Sequence, residues 1–242
     1  MIFAVHGFLG SANEWNALKN LTLQETWITP SLFESFQWPK TITFESVVRQ
    51  LRETYYLPAL NDNSKSAKKF VGYSLGGRIG LQWLELFPHD FDQWFFVSTH
   101  PGLATQSEKD SRHQSDLQWA AKLQQLDQSS FLKAWNNQAV FAGTSESLSA
   151  QLNWNKENLA VALINLSLSQ QKDFSEILKQ HQSKVHWVVG SSDQKFSNLA
   201  FKLKEGVKIQ HLHSLLGGHR IYLDQPKPLA ELLLNFSLVQ VQ

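Results

Sequence analysis

The stretch Gly72-Tyr73-Ser74-Leu75-Gly76 constrains this chain more than any other. It joins an apolar run over 68–72, read as a buried strand, to residues 75–87, whose helical pattern stops at Pro88. A chain passing from strand to helix so abruptly must reverse sharply, leaving Ser74 strained with its Oγ exposed above a sheet. Gly72 and Gly76 lack a Cβ, so neighbouring backbone can close around the turn. Ser74 also opens a helix, where unpaired N–H groups and the helix dipole favour developing negative charge. The turn implies a reactive serine. Its alternative, a Gly-rich helix cap without chemistry, requires no partner residues elsewhere.

The other elements alternate. Residues 2–5 form a short apolar run ending at His6-Gly7, and 25–28 reads as a second strand stopped by Pro30. Phe44, Val47, Val48, Leu51 and Tyr55 recur at helical spacing over 44–57, with Pro58 as the expected stop. The unbroken apolar run over 94–97 suits a strand covered on both faces. Further strands are predicted over 185–189 and 207–212, and a helix over 226–236. Such alternation predicts an α/β fold, a mostly parallel sheet with helices on both faces and function at the carboxyl ends of its strands. Residues 105–180 differ in texture, being rich in Gln, Ser, Asn and Lys. Their apolar anchors Trp119, Leu123, Phe131, Trp135 and Phe141 predict a helical cap insertion, not a linker. The expected organisation is a core of 1–104 and 181–242 interrupted by a cap of 105–180.

Composition narrows the function classes. The formal net charge of +1 over 242 residues gives no electrostatic footprint for nucleic acid or a membrane surface. The absence of Cys excludes disulfides and thiolate chemistry. The N-terminus has no basic leader, and no stretch reaches the roughly 18 apolar residues of a membrane span. A cytoplasmic enzyme acting on a small molecule, monomeric or a small homo-oligomer, is the expectation.

A reactive serine in this setting needs an acid and then a histidine further along the chain. Asp193 follows the predicted strand 185–189 in Gly190-Ser191-Ser192-Asp193, and His219 follows 207–212 in Gly217-Gly218-His219. Asp193 would orient His219, and His219 would take the proton of Ser74. Asp173 precedes its strand and Asp224 lies beyond the histidine, while His211 and His213 alternate along a predicted strand; all four are weaker candidates. The oxyanion donors expected in this fold are the N–H of Leu75 and one from His6-Gly7-Phe8-Leu9-Gly10, with Phe8 chosen. His6 itself is expected to brace that loop.

His6-Gly7-Phe8-Leu9-Gly10-Ser11 followed by Glu14-Trp15, Gly72-Tyr73-Ser74-Leu75-Gly76-Gly77-Arg78 and His100-Pro101-Gly102-Leu103 together resemble one subgroup of the α/β-hydrolase superfamily. So do Arg112…Ser115-Asp116-x-Gln118-Trp119, Trp135…Gln138-Ala139-Val140-Phe141, Asp193-x-Lys195-Phe196 and Gly218-His219. The chain is similar to the 2-succinyl-6-hydroxy-2,4-cyclohexadiene-1-carboxylate synthases of menaquinone biosynthesis. The resemblance implies elimination of pyruvate from a polyanionic cyclohexene acid, with no metal or organic cofactor. Ser74 would then serve as a base, activated by His219 and Asp193, without an acyl-enzyme.

From the residues alone, Arg78 lies one helical turn beyond Ser74 and leans back towards it, so it can offer a carboxylate a bidentate fork. The alternative is a surface arginine or one paired with a nearby acid. The resemblance assigns Arg112 a second carboxylate. Tyr73 as a hydroxyl near the substrate, Trp135 as a wall and Lys195 as a steering cation complete the expected binding set; packing or ordinary solvation are their alternatives. Four departures stand out. The one or two leading strands common in the superfamily are not seen. The loop 30–40 carries Phe33, Phe36, Trp38 and Pro39 in place of Asp-x-Pro-Gly-His-Gly. Ser98-Thr99 replaces a Gly-rich lead, and Arg220 follows His219 where a small or amide residue is expected. A carboxylesterase or thioesterase using Ser74 as acyl nucleophile is the runner-up, ahead of a carbon–carbon bond hydrolase and a silent binding fold.

Overall fold

A computed structural model describes residues 1–60, 67–145 and 154–235. Six strands form one parallel sheet: β1 (Ile2–Val5), β2 (Trp27–Ile28), β3 (Lys69–Tyr73), β4 (Gln93–Val97), β5 (Val185–Gly190) and β6 (His211–Leu215). Their spatial order is β2-β1-β3-β4-β5-β6. The chain steps outward from β1 to β2, returns past β1 to β3, then proceeds outward on the other side. The reversal opens a crevice between the ends of β1 and β3, where open α/β sheets place their ligands.

Between the strands run α1 (Asn16–Leu21), α2 (Phe44–Leu51), α3 (Leu57–Ala59), α4 (Leu75–Leu86), α5 (Gln106–Gln125), α6 (Gln128–Asn136), α7 (Lys156–Asn165) and α8 (Ser175–Gln180). After β5 come α9 (Gln194–Gly206), α10 (Ile221–Asp224) and α11 (Pro226–Asn235). Side chains alternate across the sheet. Phe3, Val5, Phe70, Trp94, Phe96 and Trp187 point to one face, and Ile2, Ala4, Val71, Tyr73, Phe95, Val97 and Val188 to the other. Both faces are sealed, which is why these strands read as continuous apolar runs. Between Pro101 and Phe174 the chain makes an excursion whose two ends meet, the Phe174 N–H donating to the Pro101 carbonyl at 3.0 Å. Helices α5, α6 and α7 lie within it, and their Leu123, Phe131, Leu159 and Leu163 join the same apolar cluster as the first sheet face.

Three boundaries differ from expectation. The helix begun at Phe44 does not stop at Pro58: a π-helical turn over Arg52–Tyr56 lets it continue to Ala59. Pro58 thus falls in the first turn of α3, where its missing N–H costs nothing. The last strand is His211–Leu215, not 207–212. Val207 and Ile209 are buried alternately like strand residues, but Val207 caps α9 and both lie in the connection to β6. The second strand shrinks to Trp27–Ile28. The C-terminal helix is seen to Asn235, and Phe236 lies outside the described residues.

Candidate active site

Ser74 caps α4 with φ 50° and ψ −107°, a backbone conformation that L-residues rarely adopt. The surroundings over-determine it. The Ser74 N–H donates to the Val97 carbonyl at 2.9 Å, and a Cβ on Gly76 would lie 2.0 Å from the Val5 carbonyl oxygen. Only a glycine lets β1 and α4 approach so closely, so the turn sits against the oxyanion loop. Among the described residues neither the Phe8 nor the Leu75 N–H finds an acceptor, so both expected oxyanion donors are unused. His6 braces that loop from inside. Its Nε2 accepts the Leu32 N–H at 2.9 Å, so Nδ1 carries the proton and donates to the Gly7 carbonyl at 2.8 Å. Burial pushes the His6 pKa down to about 4, which keeps this neutral tautomer in place.

Asp193 and His219, expected at the ends of two different strands, meet in a buried pair with Nδ1 and Oδ2 2.6 Å apart. Asp193 also caps α9, its Oδ1 accepting the Phe196 N–H at 3.2 Å, so the helix N-terminus fixes the orientation of the carboxylate. The Asp193 contact places the imidazole proton on Nδ1 and leaves Nε2 as the acceptor facing the cavity. Burial lowers the His219 pKa, opposed by Asp193, so the ring is neutral at rest and able to act as a base. The loop behind it is tied down. Ser98 Oγ donates to the His219 carbonyl at 2.7 Å, and the Gly218 N–H donates to Asp224 Oδ2 at 2.8 Å. Ser98 itself has φ 46°, which explains a glycine-like position at this point; its hydroxyl bond offsets that strain.

Ser74 and His219 open into a cavity of about 260 Å³, whose other walls include Arg112, Asp116, Trp119, Trp135, Phe141 and Lys195. Two roomier grooves, one beside Lys40–Glu45 and one beside Phe36 and Trp154, hold none of the expected site residues. Arg112 is gripped by its neighbour one turn on: Nε donates to Asp116 Oδ2 at 2.8 Å, and Asp116 also accepts Ser167 Oγ at 2.6 Å. The two terminal nitrogens of Arg112 have no acceptor among the described residues. Trp135 packs at a tilt against Phe8 and edge-on against Trp119, with ring centroids 4.9 Å away in both cases, joining the loop after β1 to α5.

Arg78 stands apart from this lining. It is buried, donates Nη1 to the Leu166 carbonyl at 2.8 Å and lies 5.4 Å from the Phe44 ring. It has no ion-pair partner among the described residues; burial and the Arg112 charge push its pKa down to about 9, so it remains cationic at neutral pH. Lys195 is also lowered, by burial and by Arg112. The same three cations act with burial on His100, which falls to about 4. Tyr73 is buried under His219 (ring centroids 5.5 Å) and against Tyr222 (4.4 Å), and lines a small recess beside Ser74 rather than the main cavity. Asp116, which is outside the expected site set, is the partner of Arg112, and the i,i+4 spacing of the two in a helical segment is the sequence signal that marks the pair.

A buried Asp–His pair and a strained serine at the carboxyl edge of a parallel sheet make this an α/β-hydrolase-fold protein, and solved structures agree on the fold. The chain superposes on MenH from S. aureus with a TM-score of 0.81 at 20% identity, covering 98% of this chain and 92% of that one. A carboxylesterase of Nitrososphaera gargenis follows it with a TM-score of 0.74 at 17% identity, covering 97% of this chain and 88% of that one. In sequence, the chain is a relative of proteins named 2-succinyl-6-hydroxy-2,4-cyclohexadiene-1-carboxylate synthase. That of Enterobacter sp. (strain 638) is 29% identical over 71% of this chain and 67% of its own length. A protein of Haemophilus influenzae, named as a putative synthase of the same kind, is 28% identical over 98% of this chain and 97% of its own. No protein-family model matches the chain.

Proposed function

We propose that this chain is a carbon–oxygen lyase, a 2-succinyl-6-hydroxy-2,4-cyclohexadiene-1-carboxylate synthase of menaquinone biosynthesis. It would eliminate pyruvate from 2-succinyl-5-enolpyruvyl-6-hydroxy-3-cyclohexene-1-carboxylate. The observation that carries this reading, beside the relatives' names, is the charge around the serine. Arg112 and Lys195 line a cavity in which Asp116 faces Arg112 and Asp193 is committed to His219, and the buried Arg78 adds its charge from behind that wall. A buried guanidinium with no ionic partner favours an anionic ligand, because leaving it unpaired is costly. A neutral ester gains little from two cations in the cavity wall; a substrate with several carboxylates gains much.

In the reaction, Ser74 passes its proton to His219 Nε2 and removes a ring proton next to the succinyl carbonyl. The Phe8 and Leu75 N–H groups hold the charge that builds on that carbonyl oxygen. The electron pair then moves through the ring and breaks the C–O bond to the enolpyruvyl group, which departs and is protonated to pyruvate. Asp193 stabilises the His219 cation throughout. This chemistry calls on no metal or organic cofactor. Residues 105–180 act as the cap over the site, Arg112 gripping a carboxylate from above, Trp135 forming a wall and Lys195 steering anions inward. Tyr73 reaches the site through the recess beside Ser74. No helix among the described residues is long and apolar enough to cross a membrane; the protein works in the cytoplasm as a monomer or small homo-oligomer, without nucleic-acid or membrane partners.

The deciding experiment supplies the enolpyruvyl substrate and measures pyruvate release, with p-nitrophenyl esters in parallel. Pyruvate release with slow ester turnover is expected. Fast ester turnover without pyruvate would install the esterase reading instead.

A further inference from the structure

Arg220, the residue that departs from expectation beside His219, is tied to the cap. Its side chain is buried, and Nη2 donates to Asn136 Oδ1 at 2.6 Å while Nη1 donates to the Ser145 carbonyl at 3.0 Å. Asn136 ends α6, and Ser145 follows the turn after Phe141, so one planar fork spans two separate pieces of the cap. The backbone joins in: the Arg220 N–H donates to Thr144 Oγ1 at 3.1 Å. From the other side of the histidine loop, Asp224 accepts the Ser145 N–H at 2.7 Å and the Gly218 N–H at 2.8 Å. A Cβ on Gly218 would lie 2.9 Å from that of Thr144, so the two segments are in close contact.

The guanidinium also lies 4.2 Å from the Phe141 ring. Phe141 in turn meets the His219 ring edge-on, centroids 5.6 Å apart, and forms part of the cavity wall. Every link from Asn136 to the imidazole is therefore a direct contact through Arg220 or Phe141. Nothing in this arrangement needs Arg220 to touch substrate: the fork already has two protein acceptors.

We propose that Arg220 is a positioning residue, a latch that fixes the 136–145 stretch of the cap against the histidine loop so that Phe141 holds the His219 ring in its working orientation. The inference rests on the triad reading given above, and its test separates the two. A fluorophosphonate probe, which reacts with Ser74 only when His219 is in place, is titrated against wild type, Arg220→Ala, Arg220→Lys, Asn136→Ala and Asn136→Asp, with Tm measured for each. The maximal inactivation rate is expected to fall at least about tenfold in Arg220→Ala and severalfold in Asn136→Ala, with the half-saturating probe concentration little changed. Arg220→Lys should not rescue, since an ammonium cannot bridge both acceptors, whereas Asn136→Asp, which keeps the acceptor, should label like wild type. Equal labelling rates in wild type and Asn136→Ala would overturn the latch, as would a loss in Arg220→Ala confined to the half-saturating concentration. If Arg220→Ala does not fold, Asn136→Ala decides alone. A wild-type protein that fails to label would remove the triad reading, and this inference with it.

Discussion

The two walls of the cavity are held in opposite ways. On the sheet side, Ser74, Asp193 and His219 are fixed through backbone: Ser74 N–H to the Val97 carbonyl, Asp193 N–H to Gly190, and the His219 carbonyl to Ser98 Oγ. On the helical side, the side chains of Arg112 and Trp135 are gripped by other side chains, one by the Asp116 carboxylate and the other by aromatic neighbours. Backbone bonds to strand ends are shared with the sheet and cannot shift singly. Side-chain grips on α5 and α6 can be exchanged or loosened. Under the proposed function, bond-breaking falls to the rigid wall and recognition of charge to the adaptable one.

The sharpest way to break this contrast is Ser74→Ala. It should lower kcat by about 10⁴-fold or more while product binding, followed by calorimetry, persists. A variant retaining kcat within tenfold of wild type would show that the rigid wall is not the reacting one. Arg78 sharpens the contrast next, because it is a buried cation set back from the cavity wall, and its role in recognition is the part of the proposal it tests. Arg78→Met should lower kcat/KM by about 100-fold while Tm holds or rises, since an uncompensated buried charge is removed. A large fall in Tm with an unchanged KM would mark Arg78 as purely structural. For Arg112→Ala a rise in KM of about tenfold is expected with kcat almost unchanged, and Asp116→Asn should produce a smaller rise in the same parameter.

Two pH effects test the rigid wall. Burial lowers the His219 pKa, so the acid limb of kcat/KM should fall below the ordinary histidine value of 6.5; a limb above it would contradict a neutral, buried base. The smallest effect is on stability. His6 titrates at about 4 when folded and at 6.5 when unfolded, so between these values the unfolded chain binds more protons and stability rises with pH. Its contribution is complete above pH 6.5 and lost by pH 4. Urea unfolding should show wild type losing about 2 kcal/mol more than His6→Gln between pH 7 and pH 5. Parallel slopes in the two proteins would refute the buried neutral brace.

Much of the sheet wall was legible in advance because its signals are local. A serine between glycines at a strand–helix junction, an acid after one strand and a histidine after another can be read from order alone. The last strand was misplaced because Val207 and Ile209 alternate in burial like strand residues while lying just before it. Pro58 misled because a π turn moved it into a new first helical turn, and π turns leave no mark in hydrophobic period. The charges were legible as residues but not as positions. Arg78 was expected at the mouth of the site, and the fold sets it back against Leu166 and Phe44.

What the sequence determined by itself was the order of parts: a strand–serine–helix turn at Ser74, a Gly-rich loop after the first strand, and Asp193 and His219 further downstream. Only the tertiary structure decided what those parts face. Parallel pairing brings the carboxyl ends of β3, β5 and β6 to one edge, and the excursion from Pro101 to Phe174 folds back over that edge. Contacts such as Arg220 with Asn136, or Arg78 with Leu166, join residues more than 80 positions apart. They arise from where whole elements dock, which no local pattern encodes.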